Sequence, residues 1–328
     1  MPPVLKVFGF ALSSLIGGTV GVGFYYRPIP EVCADDEDKH KYSNTPIKGQ
    51  GKAFFSTSRK LCENASQRDG LFFSMSRAFT ISAVAVVSKI YLEMFNTVQI
   101  RRDIHYNNFI YLVKHREKHV PLLTISNHAS TVDDPSLFIA LLPFWVNLRP
   151  QFMRWSVCTQ DICFKNPAVS TFFGLGKVMP IKRGGGIGQP QLLDLGRRLA
   201  AGDWVHTYPE GGTVQTGTLV RRAHRPPGTG ALKWGTGKLI AHAPVPPVVV
   251  PFWHTGMQEV LPEHPVDKRL LSPAPRTGQR VTLRVGRPVH FADLLEAHER
   301  EHGPLPRYLP DAAPEEEEAG AAGPVAAL

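Results

Sequence analysis

The most regular pattern of apolar and polar positions begins near residue 120. VPLLTIS (120–126) is a short apolar run and predicts a buried strand. DPSLFIALLPF follows with helical spacing, Asp134 as N-cap and Pro135 at the first helical position. KVMPIKR (177–183) predicts a strand, and QPQLLDLGRRLAAG a helix closed by Gly202. DWVHTYPEG reads as a strand and turn, ALKWGTGKLIAHA as a helix, and PVVVPFWHTG and QRVTLRVGRPV as strands. Strands alternating with helices predict an α/β fold, a mixed sheet flanked by helices. No internal repeat interrupts the order.

Upstream the pattern changes. Residues 4–26 carry one charge in 23 residues, which is long enough for a bilayer core of about 30 Å. Tyr25, Tyr26 and Arg27 follow as an interfacial belt. A membrane anchor and a cleaved targeting segment both fit. Residues 31–70 are polar and read as a linker. The second apolar run, FTISAVAVVSKIYLEMF (79–95), contains Lys89 and Glu93. It suits an interfacial helix, and equally an amphipathic core helix. The expected organisation is an extension over 1–69, a domain over 70–300 with the apolar helix 79–95, and an acidic, disordered tail over 301–328.

Charge sharpens this picture. The formal net charge is +9, although the tail carries Asp311 and Glu315 to Glu318 without Lys or Arg. The domain is therefore strongly basic, which fits an anionic partner such as a phospholipid surface. The basic residues are scattered without interleaved aromatics, so a nucleic-acid groove is not expected. Among four cysteines no CxxC pair exists, and Cys158 and Cys163 read as buried thiols.

The chemistry centres on SNHASTVDDP (126–135), where His128 precedes Asp133 by five residues. With 13 histidines in 328 residues, chance produces about 0.5 such pairs, so spacing alone says little. On a regular helix the two side chains would diverge by about 140°. They can meet only if His128 lies in the loop leaving the strand and Asp133 folds back at the helix start. Loops at the carboxyl ends of strands are where α/β proteins place their chemistry. An aspartate there fixes the imidazole tautomer, and the histidine can deprotonate a substrate hydroxyl. No G-x-S-x-G elbow is present, which argues against an α/β serine hydrolase. GGGIG lacks the P-loop lysine and the dinucleotide spacing. Lys177, Lys182 and Arg183 offer cations, with Arg183 able to pair with phosphate. Glu210 and Gly211 sit in a turn. His254, five residues before Glu259, reads as a packed histidine rather than a base.

SNHASTVDDP, GKVMPIKRG, DWVHTYPEG and VVVPFWHTGM occur in the order of the four sequence blocks of the glycerolipid acyltransferase superfamily, which the chain resembles over roughly 78–290. The linking segments QFMRWSVCTQDICFKNP, LKWGTGKLIA and PFWHTGMQEVLP are most similar to the tafazzin family of phospholipid–lysophospholipid transacylases. The resemblance implies His128 as general base and Asp133 as its orienting acid. It implies Arg183 with Lys182 on phosphate, and Pro209, Glu210 and Gly211 at the acceptor. It also implies an acyl donor that is an intact phospholipid, with no coenzyme A, cofactor or metal. Phospholipids and lysophospholipids, cardiolipin above all, would be the substrates, on mitochondrial membranes facing the intermembrane space. Two enzymatic alternatives share the site: a CoA-dependent lysophospholipid or lysophosphatidic acid acyltransferase, and a synthase of N-acylphosphatidylethanolamine. A membrane-lipid-binding protein that keeps only the fold is the non-enzymatic alternative. The chain departs from the family at Tyr208, where Phe is usual, at Gly212 and Thr213, in an insertion over 216–230, and throughout its first 69 residues.

Overall fold

A computed structural model describes residues 71–182, 185–186, 189–217, 232–264 and 269–307. The apolar stretch 4–26, Arg183, most of the 216–230 insertion and the acidic end of the chain lie outside these residues.

The described chain opens with helix α1 (Leu71–Phe95), strand β1 (Thr97–Arg101) and helix α2 (Ile104–His115). Strand β2 (Leu122–Ser126), helix α3 (Asp133–Leu141) and strand β3 (Ser156–Thr159) follow. Then come α4 (Pro167–Leu175), β4 (Val178–Ile181), α5 (Pro190–Ala200) and β5 (Trp204–Thr207). Helix α6 (Trp234–Ala241), strands β6 (Val248–Thr255) and β7 (Arg280–Val285) and helix α7 (Ala292–His302) complete the order.

The main sheet runs β1-β7-β6-β2-β5. It is mixed: β2 is parallel to both β5 and β6, β1 is parallel to β7, and β6 and β7 are antiparallel. Strands β3 and β4 form a parallel pair, joined to the β5 edge through Trp155, whose N–H and carbonyl bond Trp204 and His206. Leu122 and Leu123 of β2 point to opposite faces and are both fully buried, each in a different apolar cluster. That two-sided burial explains why β2 reads as a continuous apolar run rather than an alternating one.

Two backbone details position the loops. Asp134 departs from helical angles (φ −100°, ψ 122°), so the regular part of α3 starts at Pro135. Gly202 ends the turn after α5 with φ +84°, pressed against the Lys118 carbonyl where a Cβ would collide.

Three sequence expectations change. The apolar helix is 25 residues long and starts at Leu71, eight residues before the run recognised in the sequence. Its additional turns include Phe72 and Phe73, which the charged residues around them hide from an apolar-run criterion. Cys158 and Cys163 are not separate thiols. They form a disulfide, because the end of β3 and one helical turn bring their Cα atoms to 6.0 Å. Where the sequence reading starts the tail at 301, α7 continues to His302 and Arg307 remains bound to the Ala241 and Ala243 carbonyls.

Helix α1 is long and apolar enough to cross a membrane by composition. One stripe of it (Arg77, Ile81, Ala85, Leu92) is buried against the domain, and Lys89 donates to the Ile139 carbonyl at 3.4 Å. Its opposite face leaves Leu71, Phe72, Met75 and Phe79 exposed.

Candidate active site

The carboxyl ends of β2, β5 and β6 lie side by side, and the candidate residues sit on or just beyond them. After Ser126 the chain leaves β2 and turns so that Asp133 folds back under the loop. One Asp133 oxygen, Oδ2, accepts the backbone N–H groups of Ala129 at 2.7 Å and Ser130 at 2.9 Å. The same oxygen lies 3.0 Å from His128 Nδ1. Asp133 is fully buried, whereas the His128 side chain keeps 20% exposure. The aspartate therefore builds the loop and fixes the proton on Nδ1. Nε2 remains as the basic nitrogen, on a ring that solvent can reach. The spacing that is weak as a pattern becomes a pair through the turn.

Tyr208 and Glu210 reach the same ring from β5. The Tyr208 ring stacks on His128 with centroids 4.1 Å apart and 21° between planes. The Glu210 carboxylate accepts the His128 backbone N–H; burial raises its pKa and the nearby imidazole partly offsets that rise. Gly211 turns with φ +70°, and the Lys233 side chain passes where its Cβ would stand. Lys233 N–H bonds the Pro209 carbonyl at 2.7 Å, which ties the turn to the start of α6. The next residues hold the loop from outside. Val214 N–H donates to the His128 carbonyl at 2.7 Å, and the Gln215 amide to Ala129 O at 2.9 Å.

Lys182 does not join this cluster. It follows β4, three strands from β2, which is about 14 Å across the sheet. Its N–H is held by Gln189 Oε1 at 2.8 Å. Lys177 is buried with its ammonium on the Met153 carbonyl; burial, with Arg77, Arg198 and Arg154 nearby, depresses its pKa to about 8.

Three supporting residues take their place in the site from contacts distant in sequence. Arg154 forms a buried ion pair with Asp134 and lies 5.1 Å from the Phe138 ring centroid. Burial lowers its pKa to about 10, so it stays charged at neutral pH. His206 lies on the Thr124 hydroxyl at 2.9 Å, and Trp204 Nε1–H donates to that same oxygen. His254, a packed histidine as expected, stands 3.5 Å from Asp133 Oδ2. Only long-range contacts give these residues meaning. The QFMRW segment, 20 residues after the Asp-Asp pair, was the one available pointer to Arg154.

A histidine with one nitrogen fixed by a buried carboxylate and the other basic is equipped to take a proton from a hydroxyl or amine. Comparisons with known proteins agree with that chemistry. A family model described as Acyltransferase matches residues 109–255. The chain is 38% identical over 233 residues to N-acylphosphatidylethanolamine synthase of Arabidopsis thaliana, covering 71% of this chain and 76% of that protein. It is 34% identical over 226 residues to tafazzin of Drosophila melanogaster, covering 68% of this chain and 54% of that protein. The chain thus spans about half the length of that tafazzin. Among solved structures, the 1-acyl-sn-glycerophosphate (LPA) acyltransferase PlsC of Thermotoga maritima aligns with a TM-score of 0.42 at 13% identity, covering 91% of this chain and 92% of that one. The chain is an acyltransferase and belongs to the acyltransferase family that includes this N-acylphosphatidylethanolamine synthase, with tafazzin among its relatives.

Proposed function

We propose that this protein is a CoA-independent phospholipid–lysophospholipid transacylase that remodels membrane phospholipids, cardiolipin among them. The observation that carries the proposal is the 3.0 Å pair between His128 Nδ1 and the buried Asp133. In this reading His128 Nε2 takes the proton of the lysophospholipid hydroxyl. The oxygen attacks the ester carbonyl of the donor phospholipid. The tetrahedral intermediate collapses, and the same imidazole returns the proton to the departing lysophospholipid oxygen. Asp133 keeps the imidazole in its productive tautomer and stabilises the transient imidazolium.

Pro209, Glu210 and Gly211 serve the acceptor, and Arg183 with Lys182 serves phosphate. No cofactor or metal takes part in any step. The basic domain and the exposed apolar face of α1 support work at an anionic bilayer. We place the enzyme on a mitochondrial membrane facing the intermembrane space. Residues 70–307 form the catalytic domain, 1–69 an extension with an anchor at 4–26, and the residues after 307 a tail.

A second reading is favoured by the 38% identity to a plant N-acylphosphatidylethanolamine synthase. There the acceptor is the headgroup amine rather than a glycerol hydroxyl, and the same histidine removes its proton. One experiment separates these readings. Purified protein is mixed with liposomes in three arms: labelled lysophospholipid with diacyl phospholipid, labelled lysophospholipid with acyl-CoA, and phosphatidylethanolamine with labelled donor lipid. Label entering diacyl lipid in the first arm is the expected result, and His128→Ala should abolish it. Transfer confined to the second arm makes the enzyme CoA-dependent, and N-acylated product in the third makes it a synthase. Normal activity in the His128→Ala protein would sink the mechanism.

A further inference from the structure

His254 is the penultimate residue of β6, 126 residues after His128, yet both imidazoles lie against the same Asp133 oxygen. Its imidazole Nε2 stands 2.9 Å from the Asn127 carbonyl and 3.5 Å from Asp133 Oδ2. Both neighbours are acceptors, so Nε2 carries the proton. The other nitrogen, Nδ1, is buried without a partner. This fixes a single tautomer, and burial keeps the ring neutral despite the pull of Asp133 and Asn127 in the other direction.

The backbone shows the same arrangement. The parallel β2–β6 ladder ends at Ser126 opposite Phe252. One residue later the Asn127 side chain takes over from the ladder. Its amide donates to the His254 carbonyl at 2.9 Å, and its carbonyl accepts the His254 N–H at 3.0 Å. The main chain can then leave the sheet as the His128 loop while still anchored to β6. His254 closes this clasp from the side-chain direction, directly behind Asp133.

We infer that His254 is a positioning residue of the acyl-transfer site, whose Nε2–H holds the Asn127 carbonyl beside the Asp133 carboxylate and so sets the angle at which Asp133 presents His128. The inference rests on His128 acting as the base, and it deepens that reading by extending the pair to a chain of His128, Asp133, His254 and Asn127. The groups facing His254 are Asp133 and His128 from the loop and His206 from β5. The Nε2–H dipole, 3.5 Å from Asp133 Oδ2, also offsets part of the carboxylate's negative charge. Without it, more of that charge acts on His128.

The test compares His254→Gln, whose amide can place a donor where Nε2 stood, with His254→Phe, which keeps a ring and loses the donor. In liposome assays His254→Phe should lose about 10- to 100-fold in kcat with KM changed less than about threefold, the scale expected for a small misplacement of a reacting group. Its acidic kcat/KM limb should move to higher pH. His254→Gln should recover most of the rate. A second readout needs no lipid: the rate at which diethyl pyrocarbonate labels His128, followed by mass spectrometry, should fall in the Phe variant and recover in the Gln variant. If wild-type protein transfers no acyl chain, this labelling still decides the question. Wild-type rate, limb and labelling in His254→Phe would overturn the inference. So would equal losses in both variants with the limb unmoved, since packing alone would then explain them. Should the Phe protein not fold, His254→Met removes the donor in a flexible side chain and is read the same way.

Discussion

Tyr208 differs by one oxygen atom from the phenylalanine that the sequence resemblance implies at its position. Its ring does two jobs: it stacks on His128, and it meets His206 edge-on at 4.4 Å and 81°. Neither requires the hydroxyl, which is buried without a hydrogen-bond partner. Burial, then the charge of Asp133, holds its pKa well above the usual tyrosine range, so it stays protonated and neutral. A buried hydroxyl with no partner costs about 1–3 kcal/mol. Tyr208→Phe should therefore keep activity within a few-fold and leave stability equal or up to about 1–2 kcal/mol higher. Tyr208→Ala should lose about 3–5 kcal/mol and much of the rate, because the imidazole loses its platform. Thermal unfolding and the liposome assay check both. A tenfold loss of rate in Tyr208→Phe would mean that the hydroxyl contacts substrate. By contrast, His128 and Asp133, which the sequence marks, pair across five positions, and Gly211 acts through the turn it forms. His254, Arg154 and His206 act through contacts 20 to 127 positions away, and no local pattern records those.

Among the elements, the same rule decides what could be read. Strands β2, β5 and β6 are legible because burial on one or both faces demands apolar runs. Strand β1, TVQIR, carries no buried residue and alternates only between exposed and half-buried positions. Helix α2 buries only Phe109 and Val113, so its amphipathic signal is thin. Helix α1 shows why apolar content alone leaves two readings open, since its composition serves two faces at once. Ile81 and Ala85 pack inward, while Phe72, at 85% exposure, and Phe79, at 75%, point out. Trp145, on the short helix Phe144–Asn147 that α1 packs against, is 74% exposed. Full burial of a Phe side chain is worth about 1.5–3 kcal/mol. If this face enters the headgroup region, the double substitution Phe72→Ser and Phe79→Ser should weaken liposome binding by tenfold or more, on the order of 2 kcal/mol, with little change in the melting temperature. Ile81→Ser should do the reverse, lowering stability first. Co-sedimentation with anionic liposomes, read beside thermal unfolding, distinguishes them. Unchanged binding by the double variant would remove α1 from the membrane contact.

For the whole molecule, the consequence lies in what the site is built upon. Beneath His128 are two further imidazoles that folding keeps neutral. His206 sits among Phe138, Phe252 and Tyr208. Its pKa is driven well below 6.5 by burial first, then by the charge of Arg154. The pKa of His254 is lowered by burial, with Asp133 and the Asn127 backbone opposing. Above pH 7.5 neither group is protonated in either state, so neither makes stability depend on pH. As pH falls through 6.5 the unfolded chain takes up both protons and the folded protein does not. Stability must therefore fall on acidification, by about 1.4 kcal/mol per pH unit for each group until its folded pKa is reached. Glu210 works in the opposite direction, because its carboxyl holds a proton more readily in the folded state. Its contribution grows only at lower pH, towards the ordinary carboxylate range, and it is one group against two. Between pH 7.5 and 5.5 stability is expected to fall by about 1.4 kcal/mol from His206, with a smaller part added by His254, measured by denaturant unfolding at fixed ionic strength. Replacing His206 with Phe should remove the larger part of that dependence, whatever it does to stability at neutral pH. A flat wild-type profile across this range would mean that one of these rings accepts a proton without unfolding. The acidic limit of activity would then report on His206 or His254 as well as on His128.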